Sequence, residues 1–248
     1  MLVLSGCNNT YKNMDINCDM GEGIGNEELI MPFINSANIA CGYHAGDVGM
    51  MQHIIELCNK HHVAVGAHPS FFDRENFGRT KMWLPADDLY ELITQQLIIL
   101  NEVASYADQK LVHVKPHGAL YNMSAKDALV ASIVAKAVKD FDNDLVLFGL
   151  SGSHSVREAK MAGLKTRSEV FADRTYQDDG TLTPRTVSDA LITDTNKAAE
   201  QVLQMMNEGT VTTLSGKKIP VVAETVCIHS DGIQAVEFAK AIYNATQK

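Results

Sequence analysis

The sequence predicts one TIM-like barrel built from about seven parallel βα units, a (β/α)7 fold. Short apolar runs alternate along the chain with longer segments of helical periodicity. Each run ends in a polar or glycine-rich loop, as repeated βα units do. The length of 248 residues suits a single closed α/β barrel. The pattern leaves open whether the barrel is closed or open on one side.

Seven apolar runs are predicted as the parallel strands, and they cover residues 14–18, 36–40, 63–67, 111–115, 144–150, 165–172 and 224–228. The helices predicted between and after them cover residues 50–61, 86–107, 127–141, 155–162, 196–206 and 232–245. In the second of these helices, Leu89, Ile93 and Leu97 recur at four-residue spacing, which indicates one buried face. Residues 210–221 are predicted to form a β-hairpin.

Composition limits the partners that the chain can have. The formal charge of −9 and a pI near 5.4 argue against nucleic acid or an anionic membrane as a partner. No apolar run approaches the roughly 18 residues of a membrane span. The five cysteines include no CxxC pair, which favours a reducing compartment over a disulfide framework. We therefore expect small-molecule ligands and a cytoplasmic location.

The N-terminal segment 1–13 is expected to be disordered or extended, and residues 14–248 to form the single barrel domain. Its LSGC string, residues 4–7, is similar to a bacterial lipobox. Only six residues precede Cys7, which is too few for a charged region followed by the roughly 7–15 apolar residues of a signal. A lipid anchor at Cys7 is the alternative if the natural start lies upstream.

Polar side chains gather at the ends of the predicted strands, where parallel barrels place their chemistry. Asp15, Asn17 and Asp19 alternate along the first strand and should face the barrel interior. Glu22 follows in GEGIGN, whose glycines do not have the GxGxxG spacing of a dinucleotide site. Three polar groups on one interior face indicate a site.

The next two loops carry histidines. His44 and Asp47 lie just before a predicted helix, whose N-terminus could hold an anion. His68 ends the third strand, and Arg79 lies in the loop after it. One histidine is more often structural, but a histidine in successive loops is harder to explain by packing alone.

The fourth strand is the most informative. His113, Lys115 and His117 alternate there, with Tyr121 just beyond. A solvent-facing antiparallel edge would also show this pattern, but a parallel barrel strand has no such face. Ionisable groups also lie at or beyond the ends of the sixth and seventh strands, namely Glu169, Asp173, Arg174, His229 and Asp231.

Six segments between residues 15 and 232 together resemble the LamB/YcsF family: DINCDMGEGIG, SANIACGYHAGD, GAHPSFFDRENFGR, VKPHGALYN, EVFADRTYQDDGTLTPR and CIHSDG. The last segment departs from the family pattern, which has HGD followed by a small residue and proline. Ser230 therefore puts the shape of that loop in question.

The resemblance implies a barrel related to those of polysaccharide deacetylases. It also implies the A subunit of an ATP-dependent 5-oxoprolinase, which cleaves 5-oxo-L-proline to L-glutamate together with two partner subunits, B and C. ATP would be the co-substrate, bound with Mg²⁺ by or with those partners. A homo-oligomer and a divalent metal in the barrel are further options. No GxxxxGK[ST] loop occurs in the sequence, so this subunit is not expected to make the phosphate itself, and the nucleotide chemistry is expected to be shared by the partners.

The expected site lies at the carboxyl-terminal mouth of the barrel. The candidates for catalysis are Asp19, His44, Asp47, His68, Lys115 and His117. The candidates for substrate binding are Glu22, Asn38, Arg79, Tyr121, Asp173, Arg174 and His229. Lys115 and Arg174 would suit a substrate carboxylate or phosphate, while His117, His44 or Asp19 could activate water.

Two other functions fit the same residues. A metal-dependent amidohydrolase similar to deacetylases would use Asp19 with two of His44, His68, His117 and His229. Against it stand the missing HExxH spacing and the positive charge of Lys115. A non-catalytic subunit that only binds 5-oxoproline for its partners is the third alternative.

Overall fold

The computed structural model describes residues 14–230 and 234–247. Seven parallel strands close into a barrel in the order β1-β2-β3-β4-β5-β6-β9. They are β1 (Asp15–Met20), β2 (Ser36–Ala40), β3 (Ala64–His68), β4 (His113–Val114), β5 (Val146–Leu150), β6 (Lys165–Phe171) and β9 (Thr225–Ile228). The predicted (β/α)7 class is confirmed, and the option of an open barrel is wrong because β1 pairs with both β2 and β9. The segment 1–13, with Cys7, and Asp231 lie outside the described residues.

Helices follow the strands and cover the outside of the barrel. They are α1 (Glu27–Ile30), α2 (Val48–His61), α3 (Ala86–Tyr106), α4 (Gly118–Lys126), α5 (Ala128–Phe141), α6 (His154–Ala162), α7 (Thr195–Glu208) and α8 (Ala235–Thr246). The predicted hairpin is present as β7 (Thr210–Thr212) paired antiparallel with β8 (Lys218–Pro220). The sequence prediction missed α1, α4 and a 3₁₀ turn at Met31–Phe33.

The apolar core lies between the strands and the helices rather than inside the barrel. Outward-facing strand residues such as Ile16, Ile39, Val65, Val114 and Val226 are almost fully buried in one continuous apolar cluster. Alternation along each strand sends the other side chains inward. The fold is therefore stabilised by this outer layer, which leaves the interior available for polar groups.

Polar side chains fill the lower barrel interior and are joined by hydrogen bonds. Thr225 donates to Asp15 at 2.5 Å and accepts from Asn17 Nδ2 at 2.7 Å. Asn38 Nδ2 donates to Asn17 Oδ1 at 2.7 Å, and His113 Nε2 donates to Asn38 Oδ1 at 2.8 Å. Buried polar groups need such partners, and the chain of bonds leads from the bottom of the barrel to its mouth.

The long connection between β6 and α7 builds one wall of the mouth. Short antiparallel bridges join Arg174 to Leu191 and Tyr176 to Leu182. The buried hydroxyl of Tyr176 accepts a 2.8 Å hydrogen bond from the backbone N–H of Phe171. This contact ties the connection to the end of β6.

Among the described helices, none combines the length and the apolar character that crossing a bilayer requires.

Candidate active site at the barrel mouth

A cavity of about 570 Å³ opens at the carboxyl ends of the strands. Its volume lies within the range of roughly 300–1,000 Å³ that is usual for small-molecule sites. The predicted site residues that line it are Asp19, Glu22, His68, Arg79, Lys115, His117, Tyr121, Arg174 and His229. The topology thus brings together side chains from widely separated parts of the sequence.

Lys115 lies at the floor of the cavity in a cage of acceptors. Its Nζ atom is 2.8 Å from Asp19 Oδ1 and 2.9 Å from Glu169 Oε1. It also lies 3.2 Å from Asn17 Oδ1 and 3.1 Å from Cys227 Sγ. Burial opposes the charge, but Asp19 and Glu169 outweigh it and raise the pKa of Lys115 well above its ordinary value. Lys115 is therefore a buried cation.

Asp19 is the ionised partner of that cation. Burial by itself raises the pKa of the Asp19 carboxyl, but His68 and Lys115 outweigh burial and hold this pKa well below its ordinary range. Asn38 Nδ2 donates to Asp19 Oδ1 at 2.8 Å. Asn38 lies inside the barrel and is fully buried, so it orients Asp19 and is not part of the cavity lining.

His68 and His117 meet with their ring nitrogens 2.9 Å apart. His68 Nδ1 donates to the carbonyl of Lys115 at 2.7 Å, and His117 Nε2 donates to the carbonyl of Phe77 at 2.9 Å. Because each carbonyl can only accept, it fixes the tautomer of its imidazole. Burial, together with the neighbouring His44 and His68, lowers the pKa of His117 well below its ordinary value.

Glu22 and His44 complete this cluster. Glu22 Oε1 is 3.2 Å from His44 Nε2 and 3.3 Å from His117 Nδ1. His44 stacks on His117 at a centroid distance of 3.8 Å, and burial lowers the pKa of His44 to about 2. Burial and the nearby Asp19 raise the pKa of Glu22.

The loop after β3 carries the Phe77 carbonyl that accepts from His117, and the path of this loop requires a glycine at position 78. Gly78 has a φ of 65°, and a Cβ there would lie 2.1 Å from Ser70 Oγ and 2.9 Å from His44 Cβ. Phe77, with a φ of 57°, also has left-handed backbone. The close approach of this loop to the histidines therefore depends on the missing side chain.

His229 and Asp173 form a second pair across the cavity. His229 Nδ1 is 2.7 Å from Asp173 Oδ2, and the ring of His229 stacks on Phe171 at 5.9 Å. Burial lowers the pKa of His229, but the Asp173 carboxylate outweighs burial and raises this pKa above its ordinary value. A carboxylate that holds Nδ1–H leaves Nε2 able to exchange a proton with a ligand.

One wall of the cavity is basic although the chain as a whole is acidic. Arg174 is 7% exposed and donates to the carbonyl of Thr183 at 2.5 Å. Its Nε atom has no hydrogen-bond partner among the described residues. Arg79, Lys126 and Arg185 also line the cavity. This wall can bind a carboxylate or a phosphate.

Asp47 does not belong to the cavity. Its exposed carboxylate caps α2 by accepting from the backbone N–H of Met50 at 2.9 Å. The helix N-terminus in which we expected an external anion is thus occupied by Asp47 itself. The predicted catalytic role of Asp47 is not consistent with this position.

Besides Asn17, two residues of the Lys115 cage were not among the predicted site residues. Glu169 is fully buried at the end of β6, and Cys227 is fully buried on β9. Alternation along β6, which sets Glu169 on the same face as Phe171 and Asp173, was a usable signal for the first. Nothing in the sequence distinguished Cys227 from the other cysteines.

Two groups of described side chains bring metal-binding atoms within 4.8 Å of one another. One consists of Glu22, His44, His68 and His117, and the other of Asp19, Cys227 and His229. In the second group, Lys115 Nζ already contacts both Asp19 and Cys227. Burial also raises the pKa of the Cys227 thiol well above its ordinary value, which keeps it protonated. The first group fits a metal ion better.

The chain is similar to known proteins along nearly its whole length. A family model described as the LamB/YcsF family matches residues 14–248. The A subunit of 5-oxoprolinase from Shouchella clausii is 50% identical over 234 residues, which are 92% of each chain. The corresponding A subunit from Geobacillus kaustophilus is 47% identical over 240 residues, covering 95% of this chain and 94% of that one.

Solved structures are also similar. The lactam utilization protein from Thermus thermophilus superposes with a TM-score of 0.87 and 39% identity, covering 94% of this chain and 95% of that one. A family 4 carbohydrate esterase from Streptomyces lividans gives a TM-score of 0.49 and 10% identity, a level that supports no conclusion.

Proposed function

Since the chain belongs to the LamB/YcsF family, we propose that it is the lactam-opening subunit of an ATP-dependent 5-oxoprolinase. The observation that carries this proposal is 50% identity to the A subunit of a 5-oxoprolinase over 92% of both chains. The mouth cavity supplies what the reaction needs, namely a basic wall, a buried cation and a paired histidine. The proposal places the chain in the cytoplasm.

The chemistry explains why ATP is required. A five-membered lactam has a poorly electrophilic carbonyl, and glutamate tends to close again. Transfer of the terminal phosphoryl group of ATP to the amide oxygen releases ADP and makes the carbonyl carbon electrophilic. Water then adds to that carbon, the C–N bond breaks, and a second water hydrolyses the resulting acyl phosphate to glutamate and phosphate. Because no phosphate-cradling GxxxxGK[ST] loop occurs here, we assign the nucleotide to the partner subunits B and C.

Within the cavity, we assign substrate binding to the basic wall. Arg174 suits the substrate carboxylate because it is buried and its Nε is not satisfied by the described residues. Burial strengthens such a charge-assisted bond by excluding water. Arg79 and Lys126, which also line the cavity, add positive charge for the transferred phosphoryl group.

We assign the proton transfers to His229 and the electrostatic floor to Lys115. His229 would accept a proton from the attacking water through Nε2, while Asp173 holds Nδ1–H and orients the ring. Lys115, fixed by Asp19 and Glu169, would favour negative charge that develops on the reacting carbonyl group. His68 and His117 lie beside Asp19 and close the other side of the cavity.

A glutamate-release assay tests the proposal. The purified chain, the two partner subunits, and all three together are supplied with ATP and 5-oxoproline at matched concentrations. Glutamate should appear only with the complete set. Full release by this chain alone would refute the division of labour, and no release by the complete set would refute the proposed reaction.

Site variants then locate the chemistry. In the complete set, His229→Gln should lower turnover by about 10²-fold or more. His53→Gln is the matched control, because His53 is exposed on α2, outside the cavity lining, and should leave turnover unchanged. Equal turnover of the His229 variant and wild type would remove His229 from the mechanism.

A further inference from the structure

We propose that Glu22, His44, His68 and His117 bind one divalent transition-metal ion at the wall of the mouth cavity. The inference concerns a binding site and does not depend on the proposed reaction. Three imidazoles and a carboxylate form a donor set that suits zinc, iron, cobalt or nickel better than magnesium or calcium.

The strongest evidence is the meeting of His68 and His117. A neutral imidazole has one N–H, and each of these rings donates it to a backbone carbonyl, at 2.7 Å for His68 and 2.9 Å for His117. The nitrogens that face each other, 2.9 Å apart, are therefore both lone pairs when the rings are neutral. Two acceptors at this distance repel unless a metal ion lies beside them or the two rings share a proton.

The carbonyl contacts are also what metal-binding histidines typically have. A ligand imidazole usually donates its other N–H to a carbonyl or carboxylate, which fixes the tautomer and aims the free lone pair at the ion. The Lys115 and Phe77 carbonyls do this for His68 and His117. His44 Nδ1 is buried and lacks a hydrogen-bond partner among the described residues, so His44 is the least fixed member of the set.

The spacing of the four donor atoms fits one ion. Glu22 Oε1 lies 3.2 Å from His44 Nε2, 3.3 Å from His117 Nδ1 and 3.9 Å from His68 Nε2. Ligands held at 2.0–2.1 Å in a tetrahedron lie about 3.3 Å from one another. The observed separations bracket this value.

The positive charge of Lys115, which counted against a metal at the level of sequence, is neutralised in the structure. Its Nζ donates to Asp19 Oδ1 at 2.8 Å and forms a 2.9 Å ion pair with Glu169 Oε1. Asp19 also faces the cluster, with Oδ2 3.3 Å from His68 Nε2. Two buried carboxylates, Asp19 and Glu169, thus offset the single charge of Lys115, while Glu22 lies against the histidines. This part of the site therefore has no excess of positive charge that would repel a dication.

Metal content of the full chain tests the proposal. The protein is purified without a metal-affinity tag or chelator, and bound metal is measured by mass spectrometry. Wild type should carry about one transition-metal ion per chain, whereas His117→Ala and His68→Ala should lose most of it. His229→Gln is the matched control, since it changes a cavity histidine outside the cluster and should retain the metal.

Reconstitution provides a second readout that does not use activity. Adding Co²⁺ to the metal-free chain should give visible d–d absorption and raise the unfolding temperature, because the ion binds the folded state. A second variant, Glu22→Gln, preserves the side-chain volume and serves if a histidine variant fails to fold. It should weaken Co²⁺ binding about tenfold or more.

Two results would overturn the site. One is wild-type protein that carries no metal as purified and binds neither Zn²⁺ nor Co²⁺ on titration, which would mean that a shared proton holds the two rings together. The other is unchanged metal binding in both His117→Ala and Glu22→Gln. If the wild-type chain binds the metal but the complete set of subunits releases no glutamate, that result counts against the proposed function and not against the metal site.

Discussion

Replacing Lys115 by methionine should destabilise the protein strongly. Methionine preserves most of the aliphatic stem but removes the Nζ contacts with Asp19 at 2.8 Å and Glu169 at 2.9 Å. Both carboxylates are buried, at 5% and 0% exposure, so neither can recover its hydration. Breaking a buried pair by removing one partner costs about 3–5 kcal/mol. We expect a loss of stability in this range at pH 7.

The dependence on pH identifies the cause. In wild type, the lowered pKa of Asp19 gives stability that is present above its unfolded pKa and is lost as the pH falls through the folded value. The contribution of Asp19 to the stability of the wild type should therefore change little between pH 7 and pH 5. In Lys115→Met, Asp19 keeps His68 but loses the other group that offsets its burial, so its pKa rises and the folded state binds a proton at a higher pH than in wild type. Between this raised pKa and the lower pKa of Asp19 in the unfolded chain, the free energy of unfolding of the variant should recover by about 1.4 kcal/mol for each unit that the pH falls.

Urea unfolding followed by circular dichroism at pH 7 and pH 5 measures both effects. Adding Glu169→Gln to Lys115→Met should restore part of the lost stability, because one of the two uncompensated charges is removed. Lys60→Met is the matched control, since Lys60 forms a 3.0 Å ion pair with Glu28 at a site where both side chains are more than half exposed. Lys115→Met with wild-type stability at both pH values would refute the assignment of a buried cation.

The remaining predictions concern the mouth. His117→Ala should keep the far-UV circular dichroism of the wild type but lower glutamate release by the complete enzyme about 10²-fold, because it opens the cavity wall beside Asp19 and lets the substrate shift; wild-type turnover would show that this wall is not needed. Asp173→Asn should move the acid limb of the kcat/KM profile to lower pH, because the carboxylate that raises the pKa of His229 is gone; an unmoved limb would exclude His229 as the base. Gly78→Ala should lose more than the approximately 1 kcal/mol that a left-handed alanine costs, since its Cβ would meet Ser70 Oγ, and it should disturb the histidines. Gly216→Ala, with a φ of 85° and open space around its Cβ, isolates the backbone cost in urea unfolding, and equal losses in the two variants would contradict the steric argument.

Alternation was enough to predict much of the site. Asp19 and Lys115 were both assigned to inward-facing positions at strand ends, and the structure places them 2.8 Å apart. This worked because side chains of a parallel barrel strand have only two directions, and the inward one leads to a shared mouth. The strand boundaries were predicted within a few residues, since apolar runs end where the chain leaves the sheet.

Other features depend on tertiary contacts that no local pattern encodes. The carbonyl of Phe77 orients His117 from 40 positions away, and its position follows from left-handed backbone at Phe77 and Gly78. Cys227 gained a role in the Lys115 cage only because β9 closes the barrel against β1. Helix α4 was missed because His117, which precedes it, makes no side-chain cap.

We propose that the lactam is opened in the mouth cavity of this chain. The most direct measurement is a crystal structure of the complex with its two partner subunits, grown with 5-oxoproline and without ATP so that turnover cannot proceed. The ligand should lie in the cavity, with its carboxylate bonded to Arg174 and its carbonyl carbon facing His229. A lactam bound within one of the partners, far from Arg174 and His229, would contradict this proposal.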